Sequence, residues 1–179
     1  MTEERVILVS SSDQPVGTAE KMAAHRDGLL HRAFSVFLED RAGRLLLQRR
    51  ARHKYHSGGL WSNACCGHPR PGEGTQEAAT RRVREELGVE VVLSPAGVFT
   101  YRAEFANGLV EHEVDHVWVG LLHQDPQPDP QEVDEWRWVA PAAVESDLTA
   151  NPQAYSAWLG PALNVLGQWR RRNPRGRHP

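Results

Sequence analysis

The run "VEHEVDHVWVGLL" (110–122) limits the fold more than any other stretch of this chain. On a strand, side chains two residues apart point the same way, with about 7 Å between their Cα atoms. Glu111, Glu113 and Asp115 therefore share a face with Val117 and Val119, while His112, Val114, His116 and Trp118 share the other. Charged residues can protect an exposed sheet edge. This run, however, passes into "VWVGLL", the pattern of a strand covered on both sides. Carboxylates that lead into a buried strand need partners, because an unpaired buried charge is expensive. The chain must supply layers of structure on both faces and polar groups for the carboxylates.

The other segments supply those layers. "RVILVS" (5–10) reads as a first strand followed by a turn at "SSDQPVG", and "TAEKMAAH" (18–25) as a short helix closed by His25. "AFSVFLED" (33–40) and "RLLLQRR" (44–50) are apolar runs joined across Asp40–Gly43, which predicts a hairpin. "TQEAATRRVREEL" (75–87) is the clearest helix. Ala79, Val83 and Leu87 fall on one face, Thr75 can cap the start, and Gly88 stops it. "VEVVL" (89–93), "FTYRAEF" (99–105) and "EWRWV" (135–139) read as strands, "DPQPDPQ" (125–131) as a loop, and 141–150 and 161–169 as helices. The pattern predicts one α/β (α+β) domain over residues 1–179, with residues 170–179 as a disordered basic tail.

Charge narrows the partners. The net charge is −2 with 25% charged residues, which argues against nucleic acid, since that partner favours a basic face. The first residues include acids and only a five-residue apolar run, unlike a signal peptide. No apolar stretch approaches the ~20 residues of a membrane span. Cys65 and Cys66 are the only cysteines and are adjacent, so a bridge between them would close a strained eight-membered ring. Two unbridged thiols fit a reducing cytoplasm. His25, His31 and His68, with Glu111 and Glu113, would fill most of an octahedral shell around zinc, manganese or iron, although sequence separation alone does not bring them together.

From Gly67 the chain reads "GHPRPGEGTQEAATRRVREELGV". This resembles the Nudix box: Gly67, Glu73, Arg81, Val83, Glu85, Glu86, Gly88 and Val89 hold its positions. A loop enters a helix whose Glu85 and Glu86 can hold Mg²⁺ against a diphosphate. One position departs from the box. Arg82 stands where a Nudix hydrolase has glutamate, which removes a metal ligand and adds a cation. The scaffold can persist while its reaction changes.

Further motifs give the direction of that change. "WSNACCGHP" (61–69) resembles the active-site segment of type 1 isopentenyl-diphosphate isomerases, which have the Nudix fold. "GTAEKMAAH" (17–25), "LLLQRRARHK" (45–54), "EHEV" (111–114) and "AYSAW" (154–158) also resemble that family, in the same order. The resemblance implies a mixed β-sheet sandwiched between α-helices and the interconversion of isopentenyl and dimethylallyl diphosphates. Protonating an isolated alkene makes a tertiary carbocation, so the site must give one proton, take another, and exclude water.

By this resemblance Cys66 and Glu113 are the acid/base pair, Tyr101 assists on the glutamate side, and Trp158 faces the carbocation through a cation–π contact. Cys65 is packing. His25, His31, His68, Glu111 and Glu113 would bind one divalent metal (Mn²⁺, Zn²⁺ or Mg²⁺), and Glu86 a Mg²⁺ carried in with the diphosphate. Lys21, Arg50 and Lys54 would grip the diphosphate. No flavin, nucleic acid or membrane is expected, and the chain would be a cytoplasmic monomer or weak homodimer. An ordinary Nudix pyrophosphohydrolase is the alternative, but it gives Cys66 no task. A structural zinc protein would want spaced ligand pairs such as C-x₂-C, which are absent. A cysteine-nucleophile hydrolase or a thiol redox protein is the remaining class.

Overall fold

The computed structural model describes residues 4–174. β8 (Val110–Leu121) lies between β3 (His31–Glu39), to which it is parallel, and β7 (Leu93–Glu104), to which it is antiparallel. The other edge of β3 is shared by three partners in succession: β1 (Arg5–Val9) at His31, β6 (Cys65–Gly67) at residues 34–36, and β4 (Leu45–Arg50) at Glu39. β2 (Pro15–Glu20) adds to β1, while β5 (Trp61–Ser62) and β9 (Val133–Val139) add to β4. These nine strands make one mixed sheet among the described residues.

Alternation along the strands builds a core on each face. Phe34, Val36, Leu38 and Trp118 pack with Ala78, Ala79, Val83 and Leu87 of α2 (Thr75–Leu87). Phe37, Leu45, Leu47, Val117 and Val119 pack with Leu159, Leu163, Leu166 and Trp169 of α4 (Leu159–Arg172), together with Val144 of α3 (Pro141–Ala150). Helices thus sandwich the mixed sheet, as the apolar half of β8 requires. Cys65 is fully buried on the α2 face, which matches its reading as packing.

Several local expectations are corrected. The first helix, α1, is Lys21–Asp27, and 15–20 is an edge strand with mostly exposed side chains. Glu20 caps α1 by accepting from the backbone N–H groups of Met22 and Ala23, and His25 lies inside the helix. α2 has the expected bounds, but its N-cap is Gly74 and not Thr75; Glu77 reaches back to accept from the Gly74 N–H at 3.0 Å. Residues 89–92 form no strand, and β7 runs unbroken from Leu93 to Glu104. Arg170–Arg172 belong to the last turn of α4, with Arg170 bonded to Glu39 at 2.6 Å, so the basic tail starts as helix. Residues 175–179 lie outside the described residues.

Candidate active site

Register assembles the site. Residues paired across neighbouring strands share a face, and Glu113 on β8 is paired with His31 on β3 and Tyr101 on β7. Glu111 lies one step further along the same face, opposite Ala103. Cys66 on β6 pairs with Ser35, whose hydroxyl donates to Asp115 at 2.7 Å. The polar start of β8 thus occupies the face that, a few residues on, becomes the α4 core. There the helix ends: Trp158 is its N-cap residue, and its indole N–H donates to Asn63 Oδ1 at 3.0 Å.

The Tyr101 hydroxyl lies 2.6 Å from Glu113 Oε2 and 2.9 Å from Glu111 Oε2. Glu113 Oε1 lies 2.8 Å from His68 Nε2 and 3.4 Å from His31 Nε2, and those two nitrogens are 3.2 Å apart. Neighbouring ligands of an octahedral ion with bonds near 2.1 Å sit about 3 Å apart, so these three atoms already form one face of such a shell. His25 Nδ1 bonds the Lys21 carbonyl at 2.7 Å, which aims Nε2 inward, buried and without a hydrogen-bond partner. His25, His31, His68 and Glu113 converge within 4.8 Å of one another. Glu111 converges instead with His25 and with His56, a residue that no motif in the sequence singles out. The donor set fits a divalent cation.

Burial and charge set the protonation states. Burial pushes His25 down to about 4 and His68 down to about 4, leaving neutral imidazoles with lone pairs to offer. Burial opposes a charged His31, but its hydrogen bond to Glu113 and that group's charge outweigh this and raise it. Burial likewise opposes a charged Glu113, yet the hydrogen bonds from His31 and His68 hold it well below the usual carboxylate range. Asp115 goes the other way, pushed well up by burial and then by the charge of Glu113. Burial pushes the Cys66 thiol up to about 12, against the pull of Arg50. The Cys66 and Glu113 shifts run in opposite directions, favouring a protonated thiol and an ionised glutamate.

A cavity of about 690 Å³ connects these groups. Cys66, Glu113, Tyr101, Trp158, Glu111, His68, Glu86, Lys21, Arg50 and Lys54 all line it, while His25 and His31 stand fully buried behind. Arg50 differs from a simple phosphate grip: its guanidinium is 3.5 Å from Cys66 Sγ and 5.2 Å from the centre of the Trp158 ring. Lys54 is paired with Glu132 and Lys21 with Glu4, so neither is a free surface charge. Glu86 is buried, with Arg82 at 2.6 Å and Gln48 at 3.2 Å. Arg82, Asp115 and His56 are among the residues that line the cavity beyond those expected from the sequence. The register of β8 with its neighbours is the signal for Asp115, and the absent glutamate is the signal for Arg82.

A NUDIX domain model matches residues 29–159, and the chain belongs to the NUDIX family. Within it the chain is 50% identical over 174 residues to Isopentenyl-diphosphate Delta-isomerase 2 of Aromatoleum aromaticum, covering 97% of this chain and 92% of that one. It is 49% identical over 175 residues to Isopentenyl-diphosphate Delta-isomerase of Burkholderia multivorans, covering 95% and 99%. These likenesses place it among the isopentenyl-diphosphate Delta-isomerases. A crystal structure of a Deinococcus radiodurans protein shares the fold with a TM-score of 0.76 at 22% identity, covering 90% of this chain and 98% of that one.

Proposed function

We propose that this chain interconverts isopentenyl diphosphate and dimethylallyl diphosphate by proton transfer. The observation that carries the reading is that the Cys66 thiol and the Glu113 carboxylate line one cavity with an indole ring, burial raising the thiol and the histidine bonds lowering the carboxylate. One of the pair gives a proton to one alkene carbon, charge develops at the tertiary carbon, and the other takes a proton from the neighbouring carbon. The roles exchange in the reverse direction. A hydrolase needs an activated water instead, and gives the buried thiol no task.

The supporting side chains have matching duties. Tyr101 donates toward both glutamates and fixes the orientation of Glu113. Asn63 anchors Trp158 while its own amide is held by the carbonyls of Val36 and Cys65. The Trp158 face already takes a cation, the Arg50 guanidinium, and offers a carbocation charge stabilisation with no nucleophilic lone pair. Lys21, Arg50, Lys54 and Arg82 make the cavity attractive to a diphosphate. His25, His31, His68, Glu111 and Glu113 would hold one divalent ion, Zn²⁺, Mn²⁺ or Mg²⁺. When bound it supplies a positive charge that sets the acidity of Glu113. Glu86 would hold the Mg²⁺ that accompanies the diphosphate. Free, adjacent Cys65 and Cys66 support a cytoplasmic setting, and no helix among the described residues is long and apolar enough to cross a membrane. We read the chain as a monomer or weak homodimer.

The test is incubation with isopentenyl diphosphate and Mg²⁺ in D₂O, followed by NMR and a phosphate assay. Deuterated dimethylallyl diphosphate without phosphate release is the expected result. Phosphate release without isomer would return the chain to the hydrolases.

A further inference from the structure

His56 has no role in the reaction just described, yet only 2% of its side chain is exposed. The turn after it forces it inward. Ser57 sits at φ 52° and Gly59 at φ 78°. A Cβ on Gly58 would lie 2.5 Å from the Arg52 carbonyl oxygen, which leaves room there for glycine alone. Once inside, the imidazole stacks on Phe105 at 4.8 Å and meets Trp158 edge-on at 6.0 Å, so its orientation is fixed by rings.

Its nitrogens are placed as a ligand's would be. Nδ1 lies 3.3 Å from Ser57 Oγ, which accepts the ring proton in that tautomer and leaves the Nε2 lone pair bare. Nε2 lies 2.9 Å from Glu111 Oε1, but out of line for a hydrogen bond, and has no other partner. His25 Nε2 is equally buried and equally unpartnered. Two such nitrogens converging with one carboxylate within 4.8 Å are what a cation would satisfy.

His25 decides how many cations. Its Nδ1 is committed to the Lys21 carbonyl, so Nε2 alone can bind, and one lone pair serves one ion. The group of His25, His56 and Glu111 and the group of His25, His31, His68 and Glu113 therefore share His25, and an ion held by its Nε2 borders both groups. We infer that His56 Nε2 is a ligand of the divalent ion at this site, completing a shell of four imidazoles and two carboxylates. The inference rests on the metal site proposed above. Two carboxylates balance a dication, and six protein donors leave no position for an activated water, in keeping with a reaction that must exclude it.

The test uses the full chain stripped with a chelator and reloaded with Zn²⁺ alone. In a crystal structure of that protein, His56 Nε2 is expected within about 2.1 Å of the ion. In chelator competition, His56→Phe is expected to raise the Zn²⁺ dissociation constant at least about tenfold, the loss that even an outer partner of a ligand produces. His53→Gln, an exposed neighbour, should leave it unchanged. An ion bound by the other residues with His56 Nε2 pointing only at Glu111 would overturn the inference. So would an unchanged dissociation constant in His56→Phe. If that variant fails to fold, His56→Gln carries the same measurement. A folded parent that takes up no Zn²⁺ would overturn the metal reading itself, a distinct outcome.

Discussion

The chain carries two rows of carboxylates, and they keep different company. Around α2, Glu73 is held by Arg81 at 2.7 Å, Glu85 by Arg82 at 2.8 Å, and Glu86 by Arg82 at 2.6 Å. On β8, Glu111, Glu113 and Asp115 meet His56, Tyr101, His31, His68 and Ser35. Among the described residues no lysine or arginine forms a salt bridge with them. A guanidinium cannot give up its proton at any working pH, so the α2 carboxylates are pinned as counter-charges. Phenol and imidazole partners leave the β8 carboxylates able to exchange protons or bind a cation. The difference in partners is in keeping with the proposed proton transfer on the strand, with the Nudix helix left to hold structure and diphosphate.

The sharpest way to break that contrast is at the acid/base pair. Cys66→Ser and Glu113→Gln should each lower isomerase kcat by about 10²–10⁴, the range for removing a positioned proton donor or acceptor. Circular dichroism and thermal unfolding should change little for Cys66→Ser. Full activity in either variant would remove that group from the mechanism. The helix row should answer in stability as well as in diphosphate binding. Arg82→Ala leaves Glu86 buried and uncompensated, so urea unfolding should show a loss of about 3 kcal/mol, the lower end for such a deletion because Arg82 keeps some solvent contact. An unchanged midpoint would mean that Glu86 finds another partner.

Tyr101→Phe sits between the rows in size. It removes one hydroxyl shared by Glu111 and Glu113, a charge-assisted bond of about 1.5–3 kcal/mol. The expected result is a kcat lower by about 10–100-fold with KM for isopentenyl diphosphate little altered, since Tyr101 bonds to the carboxylates and to neither Lys21 nor Lys54. A rise in KM with kcat intact would make Tyr101 a binding residue.

Most of this division is legible in the order of the amino acids. The α2 bounds follow from 3.6-residue periodicity and Gly88, and the shared face of Glu111, Glu113 and Asp115 follows from strand alternation alone. The resemblance of "WSNACCGHP" supplies Cys66 and the role proposed for it. The features that stay hidden have no period to reveal them. Pro15–Glu20 is an edge strand with exposed residues on both faces, so it lacks the apolar alternation that marks strands. Thr75 has the chemistry of a cap, but the chain turns one residue earlier, where Gly74 adopts the extended conformation and Glu77 does the capping. His56 is buried by a tight irregular turn, and nothing in its neighbours' spacing predicts that a histidine in "KYHSGG" faces inward. Arg82 stands four residues before Glu86, so their pairing follows from helix spacing; the burial of Glu86 does not.

The smallest expected effect tests the helix row by pH. Glu73 is lowered from 4.5 chiefly by its hydrogen bonds from Arg81. A carboxylate lowered by folding adds stability that is fully present above its unfolded value near 4.5, and that fades as pH falls through the lower folded value. Glu73→Gln should therefore reduce stability at pH 7 by up to about 1 kcal/mol, the ceiling for a partly solvated pair. The parent and the variant should converge in urea midpoint as the solution is acidified below pH 4.5. High salt should narrow the gap at pH 7 as well, because screening weakens a partly solvated pair more than a fully buried one. Isomerase kcat should be unchanged throughout. A kcat loss in Glu73→Gln that exceeded its stability loss would place a proton-active carboxylate on the Nudix loop and dissolve the contrast between the two rows.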